Sequence, residues 1–171
     1  IDGIGNPYLA MRDTAGVNRL QAYLDTTVGV KVSILNSAGL KSMGFMTRAD
    51  GAPVAAMMDQ NGFVRFAAEI QSSGEPRVTL GDSTGAARML FDVTTDGLPI
   101  LWFTDSTGTE RVQLGIGTEQ EGYVAIYGAN AEPLILVGDN ADGPQTILLK
   151  KGADGWLNLL ELKEALPDNV P

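Results

Sequence analysis

Apolar and polar residues alternate along this chain in short runs, and the runs recur on a grid of 23 residues. Units open at positions 5, 28, 51, 74 and 97. In the first run of each unit the apolar side chains stand at offsets 4 and 6: Leu9/Met11, Val32/Ile34, Ala55/Met57, Val78/Leu80 and Leu101/Phe103. In the second run they stand at offsets 15, 17 and 19: Leu20/Ala22/Leu24, Met43/Phe45/Thr47, Phe66/Ala68/Ile70, Met89/Phe91/Val93 and Val112/Leu114/Ile116. A period of two sends successive side chains to opposite faces of a strand. Each unit therefore predicts two strands with one apolar and one solvated face. The five units together predict about ten strands over residues 5–116, with no helix longer than a turn.

The residues between the runs carry turn chemistry on the same grid. Gly-x-Pro, Asp-x-x-Gly and Arg occur in phase at Gly5-Pro7-Asp13-Gly16-Arg19, Gly51-Pro53-Asp59-Gly62-Arg65, Gly74-Pro76-Asp82-Gly85-Arg88 and Gly97-Pro99-Asp105-Gly108-Arg111. The unit at 28 is worn, with Val28, Val30, Asn36, Gly39 and Ser42 in the five slots. Such agreement in one phase defines a repeat protein. Asp13, Asn36, Asp59, Asp82 and Asp105 can each accept a hydrogen bond from the backbone two residues on, and Gly16, Gly39, Gly62, Gly85 and Gly108 are expected to supply positive φ. A second turn precedes each new unit, at Asp50-Gly51, Ser73-Gly74, Asp96-Gly97 and Glu121-Gly122.

Beyond Ile116 the pattern loosens. Gly122 lies 25 residues after Gly97, which reads as an insertion of two, with Asn130 and Pro133 in the turn slots of a sixth, degraded unit. Pro144–Leu160, with Asp154-Gly155, reads as a seventh. The organisation is thus five regular repeats over 1–121, degraded repeats over 122–160 and a cap or linker over 161–171. In that last stretch Leu159, Leu162 and Leu166 share a helix face, while neighbouring leucines also alternate as on a strand.

A many-stranded sheet with one apolar face cannot stay flat and open in water. A β-solenoid would stack Asp59, Asp82 and Asp105 in one column about 4.8 Å apart, and Arg65, Arg88 and Arg111 in another, placing like charges side by side. A hairpin array doubles that spacing and lets the Asp and Arg of one unit meet. The fold expected is therefore an all-β array of two-strand repeats, a hairpin array or fibre-like shaft, with the solenoid as the alternative and an irregular C-terminal cap.

Composition narrows the chemistry. The chain has no His and no Cys, which removes the commonest acid–base catalyst, thiolate metal sites and disulfides. A net charge of −9 without a basic cluster argues against nucleic acid, and no apolar run is long enough to span a bilayer. Paired carboxylates can cleave glycosides, but Asn36 and Asn130 in the Asp series keep a turn's hydrogen bond and cannot exchange a proton. Asp139-Asn140-Ala141-Asp142-Gly143 and Asp50-Gly51 offer oxygen ligands without completing a known Ca²⁺ loop. Gly115-Ile116-Gly117-Thr118 lacks the following helix and Lys of a phosphate loop and reads as a turn. Tyr8, Trp102 and Tyr127 fall on the polar face by parity, where aromatic rings can stack on sugars. No catalytic, cofactor-binding or metal-ligating residue is expected.

The grid of Gly-x-Pro, Asp-x-x-Gly and Arg between alternating apolar residues resembles the β-repeats of phage tail-fibre and spike shafts. It is also similar to the YD-type hairpin repeats of large secreted bacterial proteins. The resemblance covers residues 5–116 and lies in turn chemistry. The Tyr of the YD repeat is missing from the slot before Asp, where Arg12, Leu35, Met58, Gly81 and Thr104 stand. The shaft resemblance implies a structural, surface-exposed, homotrimeric role. The function expected is a structural β-repeat that self-assembles as a trimer or filament in an extracellular, cell-surface or virion fibre. A surface adhesin binding glycans is the alternative, and a β-solenoid polysaccharide-degrading enzyme the third reading.

Overall fold

The computed structural model describes residues 6–25, 29–140, 143–152 and 155–158. Gly5, Val28, Asp154 and the segment 159–171 therefore lie outside the described residues, and with them the C-terminal cap and its leucines. The strands in chain order are β1 (Tyr8–Arg12), β2 (Asn18–Asp25), β3 (Gly29–Leu35), β4 (Lys41–Thr47), β5 (Pro53–Met58), β6 (Val64–Ile70), β7 (Pro76–Gly81), β8 (Ala87–Val93), β9 (Pro99–Thr104), β10 (Glu110–Ile116), β11 (Gly122–Tyr127), β12 (Pro133–Asn140), β13 (Gly143–Gly152) and β14 (Gly155–Asn158). Ten of them fall between residues 8 and 116, and no helix occurs among the described residues.

The chain divides into two units, Ile1–Thr95 with β1–β8 and Asp96–Pro171 with β9–β14. Within each, every strand pairs antiparallel with the next in sequence. This is a hairpin array, all-β, and not a solenoid, whose equivalent strands would run parallel.

Register makes the repeat visible in space. In the first unit Leu9, Ala22, Val32, Phe45, Ala55, Ala68, Val78 and Phe91 are successive cross-strand partners from β1 to β8. Met11, Leu20, Ile34, Met43, Met57, Phe66, Leu80 and Met89 form a second such row. The second unit continues the rule with Leu101, Leu114, Val124 and Val137. Offsets 4, 6, 15 and 17 thus share one face, as the alternation requires.

That face is uncovered. Among the described residues, ten exposed large hydrophobic side chains lie on it in the first unit, including Leu9, Met11, Phe45, Met57 and Phe91 at 45–61% exposure. The buried strand residues sit on the opposite face, which the pattern marks as solvated: Ser33, Ala56 and Asp92 in the first unit, Ile100 and Ala125 in the second. Short side chains such as Ser33 and Ala56 are covered by the backbone and by longer neighbours, whereas Phe or Met projects beyond a single layer. No large side chain among the described residues is fully buried.

One expectation from the sequence is corrected. The turn after β10 runs from Gly117 to Glu121 and its left-handed residue is Gln120 (φ 67°), while Gly122 begins β11 and pairs with Ile116. Gln120 lies 23 residues after Gly97, and Ala131 (φ 59°) lies 23 after Gly108. No insertion has occurred: the grid runs on, and Gly128, not Asn130, holds the Asp slot. The eye is misled because Gly122 and Pro133 imitate landmarks two residues out of place.

Non-glycine residues resist positive φ by about 1–2 kcal/mol. Gln120→Gly and Ala131→Gly should each raise stability by up to about 1 kcal/mol in chemical denaturation. Gly108→Val should lower it by more than ~1 kcal/mol, because at φ 84° a Cβ there meets nothing within 4 Å and only the backbone resists.

Candidate functional site

Two features repeat often enough to carry function: the turn at each Asp slot and the apolar face. In the turn, the amide of Asp59 donates to the Phe63 carbonyl (2.9 Å), and the amide of Gly62 donates to the Asp59 carbonyl (3.0 Å). The same pair of bonds closes the turns at Asp13, Asn36, Asp82 and Asp105. Gly16, Gly39, Gly62, Gly85 and Gly108 have φ between 77° and 86°. This is a three-residue hairpin loop that ends in a left-handed glycine.

The side chain at the first position is a fixed part of that loop. Oδ1 of Asp82 accepts the amides of Thr84 (2.8 Å) and Ala86 (3.2 Å) and the Thr84 hydroxyl (2.6 Å). Asp105 repeats this with Thr107 and Thr109. Asp13, Asn36 and Asp59 each accept the corresponding two amides. Oδ2 then meets the Arg six residues on. Arg88 Nε donates to Asp82 and Arg111 Nε to Asp105, both at 2.7 Å, and Arg65 lies 3.6 Å from Asp59. Arg19 pairs with Asp13 in the same way.

Each Arg occupies a β-bulge. Leu80 pairs with Met89 but Gly81 with Ala87, so the register skips Arg88, as it skips Arg19, Arg65 and Arg111. Ser42 and Leu134 stand at the equivalent bulges without a cation. There Ser42 Oγ donates to the Ile34 carbonyl at 3.2 Å. Two arginines also tie one hairpin to the next: Arg19 donates to the Asn36 carbonyl and Arg111 to that of Gly128.

Where the grid loses its Asp, a glutamate arrives from the far side of the loop. The space a side chain on Gly128 would fill is taken by the Glu132 carboxylate, which accepts the Asn130 amide at 2.8 Å. Glu121 likewise fills the space beside Gly117, but in the other kind of turn, where earlier units hold Arg48, Gln71 and Thr94. In the Gly128 loop the carboxylate thus comes from Glu132 rather than from the Asp slot.

Electrostatics follow this geometry. Hydrogen bonds from Thr84, then the Arg88 guanidinium, hold the Asp82 carboxyl well below the usual carboxylate range. The Thr107 hydroxyl and then Arg111 do the same for Asp105, against some desolvation. Asp13 is lowered chiefly by the Val17 amide. These carboxylates sit in separate turns, each satisfied by its own loop, so no two share a proton. Among the described residues no group of three acidic side chains is placed to hold a metal ion. The run Asp139–Gly143 lies partly outside the described residues.

Sequence reasoning missed a second set of polar contacts at the other hairpin ends. Asp92, 7% exposed, accepts from its cross-strand partner Arg77 (Nε, 3.0 Å), from Gln71 (2.7 Å) and from the Val93 amide (3.0 Å). Arg48 donates to Glu69 at 2.8 Å. Both Gln71–Asp92 and Arg48–Glu69 span 21 residues, but two instances among five units leave no visible repeat. The aromatics lie on the polar face as parity places them, but they differ in exposure. Tyr8 is exposed, but Trp102 and Tyr127 are half-buried, and Gln113 bridges the Tyr123 and Tyr127 hydroxyls. Burial pushes both tyrosine hydroxyls up.

No protein-family model matches the chain, and no curated protein matches it. No helix among the described residues is long and apolar enough to cross a membrane.

A carboxyl depressed in the folded state stabilises it fully above the unfolded value near 3.8 and loses that contribution as pH falls through the folded value. Thermal stability should therefore hold down to about pH 4 and fall below it, and this acid limb should be shallower in Asp82→Asn/Asp105→Asn. Near pH 7 Asp82→Asn should lower the melting temperature only by the charge-dependent part that the acid limb reports, since Asn36 performs the same loop task. Asp82→Leu, which strands two loop amides, should lower it distinctly. A melt in which Asn and Leu are equivalent would show that the amide bonds contribute nothing.

Proposed function

We propose that this protein is a structural β-repeat whose apolar face is covered by copies of itself, building an extracellular or virion fibre. The observation that carries this reading is the uncovered row of large side chains. Monomers rarely expose contiguous apolar patches beyond a few hundred Å², and this face runs across every strand of the first unit. The Asp and Arg of each regular unit are engaged in turns and bulges, which supports a structural role for them. Net charge of −9 keeps the remaining surface hydrated and discourages association through the polar face.

Light scattering coupled to size exclusion at micromolar concentration should give a multiple of 18.0 kDa, and negative-stain images should show elongated particles. Leu80→Lys/Phe91→Lys should shift the mass to the monomer while keeping the far-UV β spectrum, because both side chains are at least 40% exposed in the single chain. A wild-type monomer at 100-fold higher concentration would overturn the reading.

A further inference from the structure

The middle row of the first unit's apolar face is uneven in size. Phe45 on β4 and Phe91 on β8 stand up at 50% and 53% exposure, and between them Ala55 and Ala68 form the floor of an open trough of about 480 Å³. The trough is bounded by Val32, Phe45 and Val78, so its surface is almost wholly apolar. Ala22 on β2 is a second low point.

Sizes along this row complement one another about β5. Counting outward from Ala55, Phe45 is one strand to one side and Ala68 one strand to the other. Val32 and Val78 are two strands away, and Ala22 and Phe91 three. Resting on the self-assembly reading, we propose that two copies meet face to face through β1–β8 on a two-fold axis along β5. Each Phe45 then enters the partner's trough over Ala68, and each Phe91 lies over the partner's Ala22. Val32 meets Val78, and Ala55 meets its own copy. A two-fold interface uses one patch twice, so such self-complementarity is what it demands.

The available area suits the partner. Ten large apolar side chains of this face, 36–61% exposed, present on the order of 900 Å² per copy, against ~800 Å² per partner in a standard interface. Face-to-face sheets sit about 10 Å apart, which a Phe reaching an Ala spans and two facing Phe rings overfill. A three-fold arrangement about an axis crossing the strands would instead set Phe45 against Phe45 and leave Ala55 and Ala68 facing their own copies across a void.

The test exchanges knob and hole between chains. Phe45→Ala alone leaves the trough empty, and Ala68→Phe alone sets Phe against Phe, so each homodimer should dissociate about 30-fold more readily than wild type. Mixed in equal amounts, the two full-length variants should form the mixed pair at close to wild-type affinity, read by native mass spectrometry with one chain isotopically labelled. Phe91→Ala mixed with Ala22→Phe reads the same register at a second place, and serves if Ala68→Phe does not fold. Statistical mixing of variants in a wild type that still assembles would overturn the two-fold register alone. A wild type that stays monomeric at every concentration would overturn self-assembly itself.

Discussion

Everything in this fold depends on a parity constraint that is met at the bulge. A strand's faces alternate with every residue, so a slip of one residue transfers a whole apolar set to the other side. Offset 7 pairs with offset 13 across each Asp-slot loop. Continued evenly, that register would bring offset 6 opposite offset 14 and send Leu20, Phe66 and Met89 to the wrong face. The extra residue at offset 14 restores offset 6 to offset 15. Arg stands at that extra residue in four units, and the turn carboxylate six residues earlier holds its guanidinium. The Asp–Arg pairs are surface contacts of modest strength. Their consequence is geometric: in four units they tie the bulge residue to its turn, while the bulge itself forms also at Ser42 and Leu134 without an ion pair.

Continuity of those rows produces the exposed face. Within each unit the meander adds strands only at its edge, so adding repeats lengthens the apolar rows without burying them. Local stability comes from loops and ladders, and the residues most hidden from water are small or polar ones such as Ser33, Ala56 and Asp92. The large side chains of the first unit's apolar face stay available for a partner, which connects their exposure to the proposed role in assembly.

Much of this was legible from residue order alone. Asp-x-x-Gly announced the loop and its left-handed glycine, and Arg six residues past the Asp announced an ion pair. The repeated positions also show why these carboxylates serve structure, because Asn36 fills the same place. What escaped the sequence was contact made by substitution of position. Glu132 restores a carboxylate lost at Gly128 from four residues away, and Gln120 keeps a left-handed slot without glycine. Neither replacement resembles the residue whose task it performs. Asp92 was missed for another reason, since Gln71 and Arg77 reach it from positions that recur too rarely to form a pattern.

Sequence by itself determined the strands, their turns, their period and which side chains share a face, because each follows from φ preferences and alternation within some twenty residues. It did not determine whether the strands would join as successive hairpins or stack as coils, since both satisfy the same local rules. Only the tertiary structure decided that, through antiparallel registers that space equivalent charges two strands apart and bring each Asp to its own Arg. The tertiary structure also decided which face is hidden. Alternation decides which side chains share a face, but burial depends on what lies above them, and a single layer leaves Phe45 and Phe91 half exposed.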